Sequence, residues 1–188
     1  KSTLNNTIPS SVIGNITLKK NTQYFITQNI VIEPTATIKI EGGVRISFCD
    51  TCSIMCKGNI IAQGEKENKI SIEGDSLFQN KITFEKSGKN ALIQNVEINN
   101  LSISVKERSI LIDNCSFRVY KKNSTSGVFI SSHKSNITVQ NSIFHGNNIW
   151  EGLGFNQSKC LIYSCTFDSI PDAIELSNTD SCKILNNT

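Results

Sequence analysis

The stretch Ser109-Ile110-Leu111-Ile112-Asp113-Asn114-Cys115-Ser116-Phe117 decides how this chain folds, because near-copies of it return along the sequence. An earlier relative is Ala91-Leu92-Ile93-Gln94-Asn95-Val96-Glu97-Ile98. Later ones are Ile137-Thr138-Val139-Gln140-Asn141-Ser142-Ile143-Phe144 and Cys160-Leu161-Ile162-Tyr163-Ser164-Cys165-Thr166-Phe167. A truncated fifth copy runs from Cys182 to Thr188. The polar residue that closes each apolar run falls at Asn95, Asn114, Asn141, Ser164 and Asn186, with successive gaps of 19, 27, 23 and 22 residues. Three positions later comes an apolar anchor: Ile98, Phe117, Phe144 and Phe167. An uneven period of about this length, carried by β-branched runs without helical spacing, predicts stacked β-coils, one per repeat, rather than a sandwich.

Stacking has a consequence for the corners. Equivalent residues in adjacent coils lie about 4.8 Å apart, so like residues form ladders. Asparagine tolerates the left-handed backbone a tight corner needs, and its amide can donate to one neighbouring coil while accepting from the other. Asn95, Asn114 and Asn141 are therefore expected in one structural column. Each bond is worth about 0.5–1.5 kcal/mol net, and an unpaired corner group would cost more. The amides are expected to point inward, which would leave the glycosylation sequons at Asn114 and Asn186 unused.

The first 29 residues (1–29), with Pro9, Gly14 and scattered apolar positions, read as an N-terminal cap and first strand. A solenoid needs such a cover because an open end exposes apolar interior and unpaired strand edges. Residues 30–188 read as the solenoid itself. The chain stops inside a repeat and carries no initiating Met or signal peptide, so a longer parent protein is expected. Thr37-Ile38-Lys39-Ile40 and Val44-Arg45-Ile46-Ser47-Phe48 alternate outward polar with inward apolar residues, with Gly42-Gly43 at the corner between them.

That run, followed by Asn59-Ile60-Ile61-Ala62-Gln63-Gly64 and Asn68-Lys69-Ile70-Ser71-Ile72, resembles the opening coils of right-handed parallel β-helix proteins of the pectin-lyase-like superfamily. Trp150-Glu151-Gly152-Leu153-Gly154-Phe155 resembles a Trp-x-Gly-Ile-x-Phe phrase of those repeats. The resemblance covers roughly residues 24–188 and implies an all-β fold, a right-handed single-stranded parallel β-helix (β-solenoid) of about seven coils. It says little about activity, since this solenoid carries lyases, hydrolases, epimerases, adhesins and repeats with no catalysis.

Bulk properties exclude some classes. With 19 basic and 16 acidic residues the net charge is +3, and no basic run marks a nucleic-acid surface. No apolar stretch is long enough to span a bilayer as a helix. Eight Asn-x-Ser/Thr sequons, about twice the chance number, and seven cysteines point to an oxidising, secretory route. Asn15, Asn123 and Asn156 are the expected glycosylation sites.

Cys160 and Cys182 hold the same repeat position in adjacent coils, one residue before the first core position of the marker strand. Neighbouring rungs bring such residues within disulfide range, so a bond is expected, against two stacked buried thiols. Cys115 and Cys165 are equivalent too, but two rungs apart, which is too far to bridge. Cys49 and Cys52 form a Cys-x-x-Cys without the second ligand pair of a zinc site or the helix start of a thioredoxin-type site, so a local disulfide is expected there. Seven is odd, so one thiol is free or pairs outside this chain.

No complete catalytic set is legible. Relative to polygalacturonase-like members, His145-Gly146 lacks the preceding Gly, there is no Arg-x-Lys, and Ser177-Asn178-Thr179-Asp180 lacks the following Gly. The nearest thing to the carboxylate and calcium set of pectate-lyase-like members is Asp168, Asp172, Glu175 and Asp180, with no Arg after Arg118; solvated loop charges are the plainer reading. Outward positions of the first strands give Glu85, Lys106, Glu107, Arg108, His133, Lys134, Asn156 and Glu175. Among them His133 and Asn156, with Trp150 or Tyr163 stacking on a sugar ring, are the candidates for a shallow glycan groove, against an ordinary wet surface.

The leading expectation is a non-catalytic extracellular or cell-surface module for adhesion or recognition of a glycan or a partner protein, presenting loops such as 121–127 and 145–152. No cofactor, metal, nucleic acid or membrane span is expected. The alternative is a carbohydrate-active enzyme, a lyase or glycoside hydrolase using surface carboxylates with calcium as a possible cofactor.

Overall fold

Alternation along the repeats fixes the strands, and the corners fix how they turn. In the middle coil, Ser102–Lys106, Ser109–Asp113 and Ser116–Arg118 are three short strands separated by two-residue bends. Every later coil repeats this order. The computed structural model describes residues 6–75, 79–86, 90–120, 127–147, 149–179 and 181–188. Among these, the strands stack into three parallel sheets of eight, eight and seven strands, each strand pairing with the third strand before and after it. We call the sheets 1, 2 and 3 in the order the chain visits them, so that Ser102–Lys106 lies in sheet 1, Ser109–Asp113 in sheet 2 and Ser116–Arg118 in sheet 3. Seven complete coils and two strands of an eighth result. The fold is an all-β parallel solenoid, right-handed as parallel crossovers are.

The interior is one continuous column. Ile110 pairs with Ile137 and Ile112 with Val139, so aliphatic residues sit on their equivalents. The anchors form a stack in which Phe117, Phe144 and Phe167 lie 4.8 and 5.0 Å apart, with rings tilted by 13° and 8°. That spacing is the rung of the sheet itself, so the coil repeat and offset ring stacking ask for the same distance. Each fully buried Phe contributes about 1.5–3 kcal/mol through area alone.

The five corner markers Asn95, Asn114, Asn141, Ser164 and Asn186 all adopt left-handed backbone, with φ of 54°, 50°, 52°, 52° and 53°. They form the expected column, but their side chains do not point inward. Asn114 and Asn141 are exposed, and it is the next residue, Cys115 or Ser142, that turns into the core. An inward amide therefore does not seal the sequons at Asn114 and Asn186, both of which are at the surface. The ladder is also shorter than expected. Asn114 Nδ2 donates to Asn95 Oδ1 at 2.6 Å and Asn95 Nδ2 to the Gly64 carbonyl at 2.8 Å, whereas Asn141 Nδ2 donates to Asp113 Oδ1 at 2.9 Å.

A second left-handed column joins sheet 1 to sheet 2 at Glu107, Lys134, Gln157 and Asn178, with φ of 49°, 48°, 49° and 52°. Three of these are residue types that gain little from that conformation. They hold it because their amides continue the ladder, Glu107 N to the His133 carbonyl at 2.9 Å and Lys134 N to that of Asn156 at 3.1 Å. Here too the next residue turns inward, giving buried Ser135 and Ser158 and, against expectation, buried Arg108. Arg108 was expected among the outward charges; only 5% of it is exposed. Its guanidinium reaches two coils down, donating to Asn59 Oδ1 at 3.1 Å and to the Cys56 carbonyl at 3.4 Å, and it lies 5.3 Å from the centre of the Phe84 ring. A long, weakly hydrated cation over an aromatic ring is the form in which a charge tolerates such a place.

Two further expectations change. The segment read as a cap and first strand holds three strands among its described residues, 6–29: Ser11–Val12, Ile16–Leu18 and Gln23–Ile26 already form the first coil, in register with the second. Scattered apolar positions hid this because its strands are only two to four residues long. Cys160 is likewise itself a core position, paired with Ile137 below and Cys182 above.

The structure joins Cys160 to Cys182 across those adjacent rungs, with α-carbons 4.4 Å apart, and Cys49 to Cys52 within one loop, 5.3 Å apart. Fully buried Asn80 clamps that loop, its Nδ2 donating to the carbonyls of Cys49 and Cys52 at 2.7 and 2.9 Å. Cys56, Cys115 and Cys165 are free and buried. Burial pushes all three thiols up, Cys115 to about 12, so they behave as inert core residues.

Candidate functional site

Strand pairing places the outward residues of sheet 1 in three rows that run along the solenoid. From Thr83 onward the middle row is Thr83, Ser104, Ser131, Gly154 and Glu175, small until its last member. One flank is Lys106, His133, Asn156 and Ser177, and the other is Val128, Glu151 and Asp172. Small residues between taller ones make a trough. Its deepest part is a depression of about 300 Å³ lined by Ser131, Glu151, Gly154, Asn156, Glu175 and Ser177. Beneath it, Ser132 Oγ, turned inward, donates to buried Ser158 Oγ at 2.9 Å, and Ser158 Oγ donates to the Asn156 carbonyl at 2.9 Å.

Gly154 has a steric role here. A β-carbon on it would come within 2.8 Å of Glu151 Oε2, so the absent side chain is what lets the Glu151 carboxyl fold across the trough. There it is hydrogen-bonded to Glu175. Burial raises the pKa of Glu151 above the usual carboxylate range, and the charges of Glu175 and Asp172 raise it further. Two carboxyls in such contact favour sharing one proton. Trp150, immediately before Glu151, is 59% exposed beside that flank, and the Asp172 amide donates to its carbonyl at 2.9 Å. Sequence reasoning singled out Trp150, His133, Asn156 and Glu175, which share this face, and missed Glu151. Its signal was present, as the outward residue of the Trp-Glu-Gly-Leu-Gly-Phe phrase.

Of the four carboxylates proposed from sequence, the three that are described do not converge. Asp172 and Glu175 share the Asp172–Ser177 strand of sheet 1. Asp168 lies on the outer face of sheet 3, where its Oδ2 is 2.7 Å from His145 Nδ1. Asp180 lies outside the described residues. Tyr163, the other candidate sugar platform, faces outward from sheet 2 and cannot join Trp150 in one groove. Of the loops expected to present recognition residues, 121–126 is outside the described residues, while 145–152 leads directly into the trough. Among the expected glycosylation sites, Asn15 and Asn156 are exposed and Asn123 lies outside the described residues. Among the described residues, no group of three or more His, Cys, Asp or Glu is arranged to hold a metal ion, and no helix is long and apolar enough to cross a membrane.

With coils, ladders and corner columns in place, the family follows. A model described as the right handed beta helix region matches residues 80–188, more than half of the chain. The chain belongs to that family of right-handed β-helix repeat proteins. No curated protein and no solved structure matches it. The two disulfides are compatible with an extracellular location.

Proposed function

We propose that this β-helix is a non-catalytic recognition module, acting outside the cell or at its surface, which binds a glycan along the trough of sheet 1. The observation that carries this reading is the trough itself: a row of small side chains flanked by His133 and Asn156 on one side and Glu151 on the other, with Trp150 exposed next to Glu151. A linear sugar chain offers hydroxyls to such flanks and an apolar ring face to an indole. The long axis of the trough allows several residues of a chain to be read at once. Because Asn156 lines the depression, a covalent glycan there would fill it; of the expected glycosylation sites that are described, exposed Asn15 leaves the trough clear.

One observation favours a second reading, a glycoside hydrolase or polysaccharide lyase, with or without calcium: the raised Glu151 is a candidate general acid beside the Glu175 carboxyl. Its geometry weighs against catalysis as the residues stand. Glycoside hydrolysis needs two carboxyls about 5 Å or more apart, flanking the scissile bond, whereas these two hydrogen-bond each other.

The readings separate in one experiment. The chain is passed over a panel of immobilised neutral and acidic polysaccharides, with and without calcium, and the eluates are assayed for new reducing or unsaturated ends. Retention without product, reduced at least about tenfold in affinity by Trp150→Ala, is expected. Products abolished by Glu151→Gln would replace recognition with catalysis, and no retention on any glycan would end the glycan reading.

A further inference from the structure

The outward face of sheet 2 differs from those of sheets 1 and 3 among the described residues. Strand register stacks Ile61, Leu92, Leu111, Thr138 and Leu161 into one outward column, closed by Lys39 at one end and Lys183 at the other. The four aliphatic members are half-buried only by one another and by their flanks. Alternation should have placed polar residues at these positions, because they point away from the core. One flank is an amide ladder in which Gln94 Nε2 donates to Asp113 Oδ2 at 2.9 Å and Gln140 Nε2 to Asp113 Oδ1 at 3.2 Å. The result is a strip, apolar along its midline and bordered on one side by side chains already fixed in place. Little side-chain entropy remains to be lost when such a strip is covered.

We propose that this strip is the interface of a homodimer, in which two copies pack sheet 2 against sheet 2 with their solenoid axes antiparallel. The order of residues in the column supports a second copy. A two-fold axis between the levels of Leu92 and Leu111 sets Leu92 of one copy on Leu111 of the other, Ile61 on Thr138, and the stem of Lys39 on Leu161. Lys183 then faces Thr17, so the lysines that close the column never meet. In the flanking row Gln94 faces Asp113 and Gln63 faces Gln140, again without like charges opposed. Such a surface is complementary to itself, which is what a two-fold interface requires. The size fits as well. Eight strands at about 4.8 Å and a width of about five residues give a footprint of roughly 550 Å² per copy, or about 1,100 Å² in total, at the lower limit for a specific interface. A reversible, concentration-dependent dimer is expected from an interface at that limit.

Sedimentation velocity of the 188-residue chain over a concentration series tests this. A monomer–dimer equilibrium is expected. Leu111→Asp, counted twice in each dimer, should raise the dissociation constant at least about tenfold, and Leu161→Asp should do so independently. Both positions are outward, and an unchanged circular dichroism spectrum and melting temperature certify the fold. Adding Leu92→Lys to Leu111→Asp sets opposite charges across the two-fold axis and should restore the dimer. A monomer at every concentration overturns the proposal. So does an association that none of these changes weakens, which would place the contact elsewhere, for instance at the terminal coil where Ile184 and Leu185 are exposed. Failure of the paired change to restore association overturns the antiparallel arrangement.

Discussion

Sheet 1 turns outward Ser104, Ser131 and Gly154 between charged and amide flanks, while sheet 2, one corner further along the same coils, turns outward Leu92, Leu111 and Leu161. Both faces hang on identical rungs and share one interior. Their difference teaches that in a solenoid the inward positions are held to a single solution, whereas each outward row is free to become a separate device. The carboxylates make the contrast sharpest. On sheet 2, partial burial opposes ionisation of Asp113, but amide donors from Asn141, Gln94 and Gln140 outweigh it and hold its pKa below the usual range. On sheet 1, burial and two neighbouring carboxylates drive Glu151 the other way.

The largest way to break the comparison is to remove what the two faces share. Phe144 stacks between Phe117 and Phe167 and is fully buried, so Phe144→Ala should cost about 3–5 kcal/mol, read from denaturant midpoints. Both faces should lose protection together in hydrogen exchange. A loss confined to sheet 3 would mean that the column is not one cooperative unit.

Smaller changes should separate the faces. The depressed pKa of Asp113 means that its contribution is present above the unfolded value, about 3.9, and is lost as pH falls through the folded value. Asp113→Asn should therefore cost about 1 kcal/mol at pH 7 and leave stability flatter than the parent's below about pH 4, measured by chemical denaturation across pH. An equal loss at pH 2.5 and pH 7 would show that the carboxylate charge is not what the three amides hold. The smallest effect is expected at Glu151. Its raised pKa gives stability that is present below the unfolded value and is lost as pH rises through the folded one. Glu151→Gln should thus be neutral or stabilising by a few tenths of a kcal/mol at pH 7, opposite in sign to Asp113→Asn. Destabilisation there would show that the Glu151–Glu175 contact is a net attraction at neutral pH.

The Phe117, Phe144, Phe167 series and the marker Asn residues were legible because inward and corner positions repeat, and repetition survives uneven loops. Cys160 and Cys182 were legible for the same reason, their equivalence alone bringing them one rung apart. Glu107, Lys134 and Gln157 were not, because their side chains carry no preference for the left-handed bend they occupy; the ladder bonds of their backbone impose it. Arg108 was misplaced because a charge in a polar run reads as solvated until the corner is seen to turn the residue after the bend inward.

The sequence by itself determined that this chain winds into parallel coils and where most of its core and corner residues recur, because a 4.8 Å rung sets each inward or corner residue on its equivalent in the next coil. Only the tertiary structure decided which outward residues become neighbours. Glu151 and Glu175, 24 positions apart, and Ile61 and Leu92, 31 apart, meet through register, and register depends on how much chain each loop takes up. Loop length leaves no periodic trace in the residues themselves, so the trough and the apolar strip emerge only once the coils are stacked.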